Sequence, residues 1–140
     1  MSGAITIQDN PDQAELDALY GQLRAYNAPY IGEATPERLA VVLKDDQGQL
    51  AGGVHASTAL GWLDVYQLWV RADLRGQGYG KALMQAVEQA ARERGCTQVL
   101  LDTFSFQAPG FYQKLGYQIV AVLEYGEHHR YLLKKNLNAV

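Results

Sequence analysis

The sequence predicts a mixed α/β (α+β) fold, a predominantly antiparallel sheet of six to seven strands flanked by helices, in the order β-α-(α)-β-β-β-α-β-α-β-β. Three observations predict it. Residues 38–70 hold three strand-like runs separated by short turn signals, which is a meander. Downstream, two stretches switch to helical periodicity with a strand between them, so the chain must cross over and make at least one parallel pair. The chain then closes on two short strand-like runs joined by a turn. Meander and crossover together give a mixed sheet.

Each element has its own reason. Ala4 to Gln8 alternates and reads as a short first strand. Asn10-Pro11 supplies an N-cap and a proline at the first helical position. Leu16, Leu19, Tyr20 and Leu23 then fall at i, i+3, i+4 and i+7, an apolar face that continues toward Tyr26 before Asn27-Ala28-Pro29 ends it. Asn27 to Pro36, with two prolines and Gly32, reads as an irregular loop or a second short helix. Arg38 to Lys44 and Leu50 to Ala59 are strands joined by the hairpin signal Asp45-Asp46-Gln47-Gly48. Gly61 permits the next turn, and Trp62 to Val70, rich in β-branched and aromatic residues, is the strongest strand. From about Gly78 to Arg94 the pattern is helical, with Leu83, Met84, Val87, Ala90 and Ala91 on one face, Gln85, Glu88, Gln89, Arg92 and Glu93 off it, and Gly95 as the stop. Gln98 to Phe104 reads as a strand and Ala108 to Leu115 as a short helix closed by Gly116. Tyr117 to Leu123 and His129 to Leu133 form the terminal hairpin.

Composition narrows the class. A chain of 140 residues is the size of one domain, 1–140. With 48% hydrophobic and 19% charged residues and a net charge of −3, it has an ordinary globular composition and lacks the basic balance of a general nucleic-acid binder. The lone Cys96 has no partner for an internal disulfide, and the amino terminus has neither a basic n-region nor a long apolar h-region. No apolar run approaches the roughly 20 residues that span a bilayer. A cytoplasmic protein with no membrane and no nucleic-acid partner is the expectation.

The chemistry centres on Leu74 to Lys81, LRGQGYGK, between the strongest strand and the long helix. A helix whose first turn is built around Gly76, Gly78 and Gly80 exposes backbone N–H groups at its positive end, and bare backbone lets an anion approach them. Spacing excludes two nucleotide motifs. A Walker loop would need glycine at Arg75 and Ser or Thr at Ala82. A dinucleotide fingerprint would need its third glycine at Lys81 and a βαβ opening instead of a meander. Glycines that merely ease a tight strand-to-helix turn remain the alternative.

Arg75-Gly-Gln-Gly78-Tyr-Gly80 fits the pattern Gln/Arg-x-x-Gly-x-Gly/Ala after a strand ending Leu-x-Val, and it resembles the acyl-CoA loop of the GNAT superfamily of N-acetyltransferases. Ala108-Pro-Gly-Phe111-Tyr112-Gln-Lys-Leu115-Gly116-Tyr117 is similar to that family's later A-x-x-F-Y-x-x-x-G-F/Y segment. The two motifs cover the chain from Trp62 onward; before Trp62 only the element order matches. The resemblance implies transfer of an acetyl group from acetyl-CoA directly to a primary amine of a small molecule or peptide, with no covalent enzyme intermediate; from residue spacing no metal is assigned. A non-catalytic acyl-CoA-binding regulatory module is the alternative. It implies that the pyrophosphate lies across Arg75, Gly76, Gln77, Gly78, Tyr79, Gly80 and Lys81. The pantetheine arm would pair as an added strand with the fourth strand, near Leu68 and Val70.

Residue roles follow from the same resemblance. An amine with a lysine-like pKa of about 10.4 is mostly ammonium at pH 7, and releasing its nucleophilic form costs roughly 4 to 5 kcal/mol. Family members often carry a carboxylate on the fourth strand, six residues before the valine of Leu-x-Val; here that residue is Asp64, the candidate base or an exposed edge-strand aspartate. Asp64 alternates with Trp62, Tyr66 and Leu68, so its pKa is expected to rise. From the residues alone, His55 on the third strand reads as an ordinary half-buried histidine, with pocket lining or the role of base as the alternative. Tyr112 matches the family tyrosine that supplies a proton to the departing CoA thiolate, the alternative being a core residue beside Phe111. A backbone N–H of the fourth strand would meet the oxyanion. Where the family often has a pantetheine-binding asparagine, this chain has Ser105, and Gln107 is the nearby amide. Cys96 reads as a small buried hydrophobe, and His128-His129 has no metal-spaced partners. A homodimer, common in the family, is the candidate assembly.

Overall fold

The computed structural model describes residues 3–32 and 35–138 and falls into two compact units, Met1–Thr35 and Pro36–Val140. The first is built around one helix, α1 (Gln13–Ile31). Ala4 to Gln8 carries no regular structure, which corrects the expected first strand. An alternating run becomes a strand only when a neighbour completes its hydrogen bonds, and among the described residues this unit holds no second strand. The helix cap is Asp12, not Asn10: its carboxylate accepts from the Ala14 N–H at 3.1 Å. Pro29 does not end the helix. It lies in the last turn, where one lost hydrogen bond is tolerated, and Gly32, at φ +73°, closes the helix by donating its N–H to the Ala28 carbonyl. Residues 33 and 34 of the expected loop or second helix lie outside the described residues.

The second unit contains β1 (Glu37–Lys44), β2 (Leu50–Ala59), β3 (Trp62–Val70), a 3-10 turn at Ala72–Leu74, α2 (Tyr79–Glu93), β4 (Gln98–Phe104), α3 (Pro109–Lys114), β5 (Gln118–Tyr125) and β6 (His128–Asn136). Six strands make one sheet in the order β1-β2-β3-β4-β6-β5. Only β3 and β4 are parallel, so the sheet is mixed and predominantly antiparallel, as expected. β3 is the strand counted fourth from sequence.

The core follows the two periodicities. Val54 and Ala56 of β2, Leu63 and Val65 of β3, Val99 and Leu101 of β4, and Leu133 of β6 are buried with Leu83, Met84, Val87 and Ala91 of α2. Gly95 takes φ +84° and stops α2 where the sequence placed its end. Cys96 is buried in this core, and burial pushes its thiol pKa up. Glu88 corrects the helical reading, for its spacing put it off the apolar face and yet it is 3% exposed. It is buried because two donors reach it: the Tyr117 hydroxyl at 2.7 Å and Lys135 Nζ at 2.8 Å.

The segment entering the glycine loop is anchored by charge. Arg71 donates to Asp45 in the β1–β2 turn at 2.9 Å and to Asp73 at 2.7 Å. Asp45 also accepts the Gln47 and Gln49 N–H groups, and hydrogen bonding to Arg71 holds both carboxyls below their usual range.

Candidate active site

β3 and β4 run side by side only from Trp62/Gln98 to Val65/Leu101. On the other side of β3, His55 pairs with Gln67 and Ala56 with Val65, so Tyr66 is a bulge without a partner in either ladder. The two strands part at this point. Gln67 to Val70 stay paired to β2, and their other edge borders a cleft of about 1070 Å³. Such an edge offers main-chain donors and acceptors to an extended ligand, as a further strand would. The Leu68 and Val70 side chains pack against the core, leaving their main chain to the cleft. Arg75 caps part of this edge, its Nε donating to the Val70 carbonyl at 2.8 Å.

The glycine loop forms one end of the cleft. Gly76 and Gly78 take φ +76° and +90°, and a Cβ at either would meet nothing within 4 Å. Their need for glycine is therefore conformational, and the space over them is open. Gly80 differs: a Cβ there would lie 3.2 Å from the Phe111 ring, so that glycine serves the packing of α2 against α3. Gly78 caps α2 without a side-chain hydrogen bond, and the Ala82 N–H is the one that returns to the Gly78 carbonyl. The N–H groups of Tyr79, Gly80 and Lys81 thus have no partner inside the helix and can serve an anion. Gly76, Gly78, Tyr79, Gly80, Arg75 and Lys81 all line the cleft. Gln77 does not; its amide donates to the Asp73 carbonyl at 3.1 Å and braces the loop.

Tyr112, 8% exposed, also lines the cleft, with a hydroxyl that has no hydrogen-bond partner among the described residues. Its main chain is fixed, because its carbonyl accepts the N–H groups of Leu115 and Tyr117. Its ring meets Phe111 at 5.1 Å and Tyr117 at 5.8 Å, both edge to face. Burial, aided by the charge of Asp102, pushes its pKa up to about 12, so near neutral pH the phenol carries its proton and is a donor.

Several expected site residues lie elsewhere or are already engaged. Asp64 is not brought to the cleft. It pairs with Leu100 where the β3–β4 ladder is still closed and lines a separate depression of about 460 Å³ with Leu60, Trp62, Leu100, Val120 and Lys134. Burial there raises its pKa, as its neighbours led one to expect. The alternation fails at Leu68 because the bulge resets the strand's facing: Leu63 and Val65 face the core before it, Leu68 and Val70 after it. His55 bonds Gln67 at 3.3 Å and packs against the Tyr66 ring, outside the cleft lining. Gln107 lines the cleft, but its amide oxygen already accepts from the Phe104 N–H at 2.8 Å and the Thr103 hydroxyl at 3.1 Å, which leaves only its NH2 free. Ser105 accepts the His129 N–H and so ties β4 to the hairpin.

Two features escape a reading by sequence. The Tyr66 bulge depends on partner register, for which the chain carries no local signal. Asp102 lines the cleft from β4, and it left a trace, an acid inside the otherwise apolar run VLLDTF.

Comparison with known proteins agrees with this architecture. Residues 5–117 match the acetyltransferase (GNAT) family. A blasticidin-S acetyltransferase of Streptomyces morookaense is 43% identical over 101 residues, covering 71% of this chain and 74% of that protein. An acetyltransferase of Agrobacterium fabrum is 32% identical over 117 residues, 84% and 85% of the two chains. The crystal structure of an acetyltransferase from Bacillus cereus superposes with a TM-score of 0.81 at 32% identity, covering 94% of this chain and 97% of that one. With this match over most of its length, the chain belongs to the GNAT family of N-acetyltransferases, enzymes that take their acetyl group from acetyl-CoA.

Proposed function

We propose that this enzyme moves the acetyl group directly from acetyl-CoA to the primary amine of a small molecule, with both substrates bound together in the parted β3–β4 wedge. The observation that carries the reading is Tyr112, a buried phenol with an unengaged hydroxyl in the cleft that begins at the bare start of α2. The pyrophosphate rests on the N–H groups of Tyr79 to Lys81, with Arg75 and Lys81 adding charge, and the pantetheine arm lies along Gln67 to Val70. The ammonium first loses a proton to solvent. The neutral amine nitrogen then forms its bond to the thioester carbonyl carbon while a main-chain N–H at the Tyr66 bulge faces the developing oxyanion, and the nitrogen gives a second proton to solvent before the intermediate collapses. The C–S bond then breaks, and the sulfur takes its proton from the Tyr112 hydroxyl, which recovers one from solvent. The name of the Streptomyces relative supports a small antibiotic-like amine over a protein terminus.

Thiol release from acetyl-CoA tests this across aminoglycosides, polyamines, peptides and amine-bearing nucleoside antibiotics. At least one small amine should turn over, with double-reciprocal plots that intersect as a ternary complex requires. Parallel lines would mean an acetyl-enzyme, and no release with any amine would remove the proposal. The loop makes a separate prediction. Gly78→Val forces a branched side chain into φ +90°, at about 1 to 2 kcal/mol, and the loop should shift to relieve it. Calorimetry should register CoA binding at least about tenfold weaker.

A further inference from the structure

We propose that Asp102 is the carboxylate that selects the acceptor, receiving its ammonium group at the opening of the wedge and so restricting this enzyme to organic cations. The inference deepens the function proposed above and rests on it. It begins with the β3–β4 ladder. Asp64 faces Leu100 inside the closed part, and the next residue of β4 on that side of the sheet is Asp102, the first one past the last pair, Val65/Leu101. Asp102 therefore stands where the strands have separated, and it lines the cleft as Asp64 does not. Asp102 and Tyr112 line the same cleft, and after burial the Asp102 charge adds to the rise in the Tyr112 pKa.

Its surroundings suit an organic ammonium. Arg130 Nε donates to Asp102 Oδ2 at 2.9 Å, and Arg130 Nη1 donates to the Tyr125 hydroxyl at 3.1 Å, so the carboxylate is held in one orientation from the β6 side. Oδ1 accepts no hydrogen bond among the described residues. The Asp102 and Arg130 side chains are each one-third exposed, which leaves the carboxylate room for a second partner. Aromatic rings line the same cleft. Phe104 stacks on Phe106 at 5.3 Å and meets Tyr125 edge to face at 5.4 Å, and both Phe104 and Phe106 line the cleft. A carboxylate in a cleft lined by aromatic rings binds a charged nitrogen that has carbon next to it better than it binds a neutral polar group.

The experiment uses the full-length enzyme with the best amine of the panel. Asp102→Asn should raise the acceptor KM roughly ten- to hundred-fold while the dissociation constant of CoA stays within about twofold. Asp102→Glu should recover most of the acceptor KM. On the unmodified enzyme, the N-trimethylated analogue of the acceptor should inhibit competitively, and the analogue bearing hydroxyl in place of amine should not. An unchanged acceptor KM in Asp102→Asn, a rise seen instead in Asp64→Asn, or equal inhibition by the neutral analogue would overturn the assignment. If no amine is acetylated by the unmodified enzyme, the failure belongs to the proposed function; if amines turn over and these outcomes appear, it belongs to Asp102 alone.

Discussion

Tyr112→Phe should lower turnover by about 100- to 1000-fold and leave CoA affinity within about twofold of the parent. The reasoning starts from what the hydroxyl touches. It has no hydrogen-bond partner among the described residues, so its removal strands no buried group, and the phenylalanine ring keeps the edge contacts to Phe111 and Tyr117. Melting temperature should therefore hold or rise slightly. The loss should fall on the step in which the C–S bond breaks, because an unprotonated thiolate is the poorer leaving group. Since the phenol pKa is pushed up to about 12, the parent enzyme should show no fall in turnover from loss of this proton up to about pH 10. Steady-state kinetics of both proteins against the same amine, with calorimetry on free CoA, separate the two effects. Turnover within about threefold of the parent would show that water, not Tyr112, protonates the sulfur.

What could be read from the residues divides along physical lines. β3 and β4 have the bounds the sequence predicts because each is rich in β-formers, and β2, which is poor in them, because turn signals at Asp45–Gly48 and Gly61 bound it; those signals are local. The start of α2 was legible for the same reason, since positive φ at Gly76 and Gly78 is a property of single residues. Ala4 to Gln8 shows the limit of alternation, which describes a strand's faces and says nothing about whether a partner is present. Asp64 and Asp102 show the limit of position counting. Which of two acids stands at the opening depends on where two strands separated by a helix cease to pair, and the pairing ends at Val65/Leu101. Glu88 shows the limit of helical patterning. A carboxylate enters a core when donors from distant elements meet it, here Tyr117 and Lys135, and neither is visible from α2.

Glu88→Ala should be the most damaging of these substitutions to stability, at about 3 kcal/mol, with the melting temperature lower by roughly 10 °C. Glu88 is 3% exposed and is held between the Tyr117 hydroxyl and Lys135 Nζ, while Lys135 also lies over the Tyr117 ring at 5.5 Å. Removing the carboxylate leaves a buried phenol without an acceptor, an ammonium without a counter-charge, and a cavity against α2. The Lys135 side chain is 22% exposed and can swing toward water, which keeps the cost near the lower end for a broken buried pair. Glu88→Gln preserves the volume and one acceptor and should cost about half as much. The damage should also reach the chemistry, because Tyr117 supplies both the N–H that fixes the Tyr112 carbonyl and the ring edge against which Tyr112 packs. If the effect is one of unpaired partners, replacing all three together, Glu88→Leu with Tyr117→Phe and Lys135→Met, should recover most of the lost stability, since an apolar trio needs no donors or counter-charge. Denaturant unfolding of the single and triple variants decides this: a triple variant no more stable than Glu88→Ala would mean that the carboxylate stabilises through packing of α2 and not by satisfying Tyr117 and Lys135.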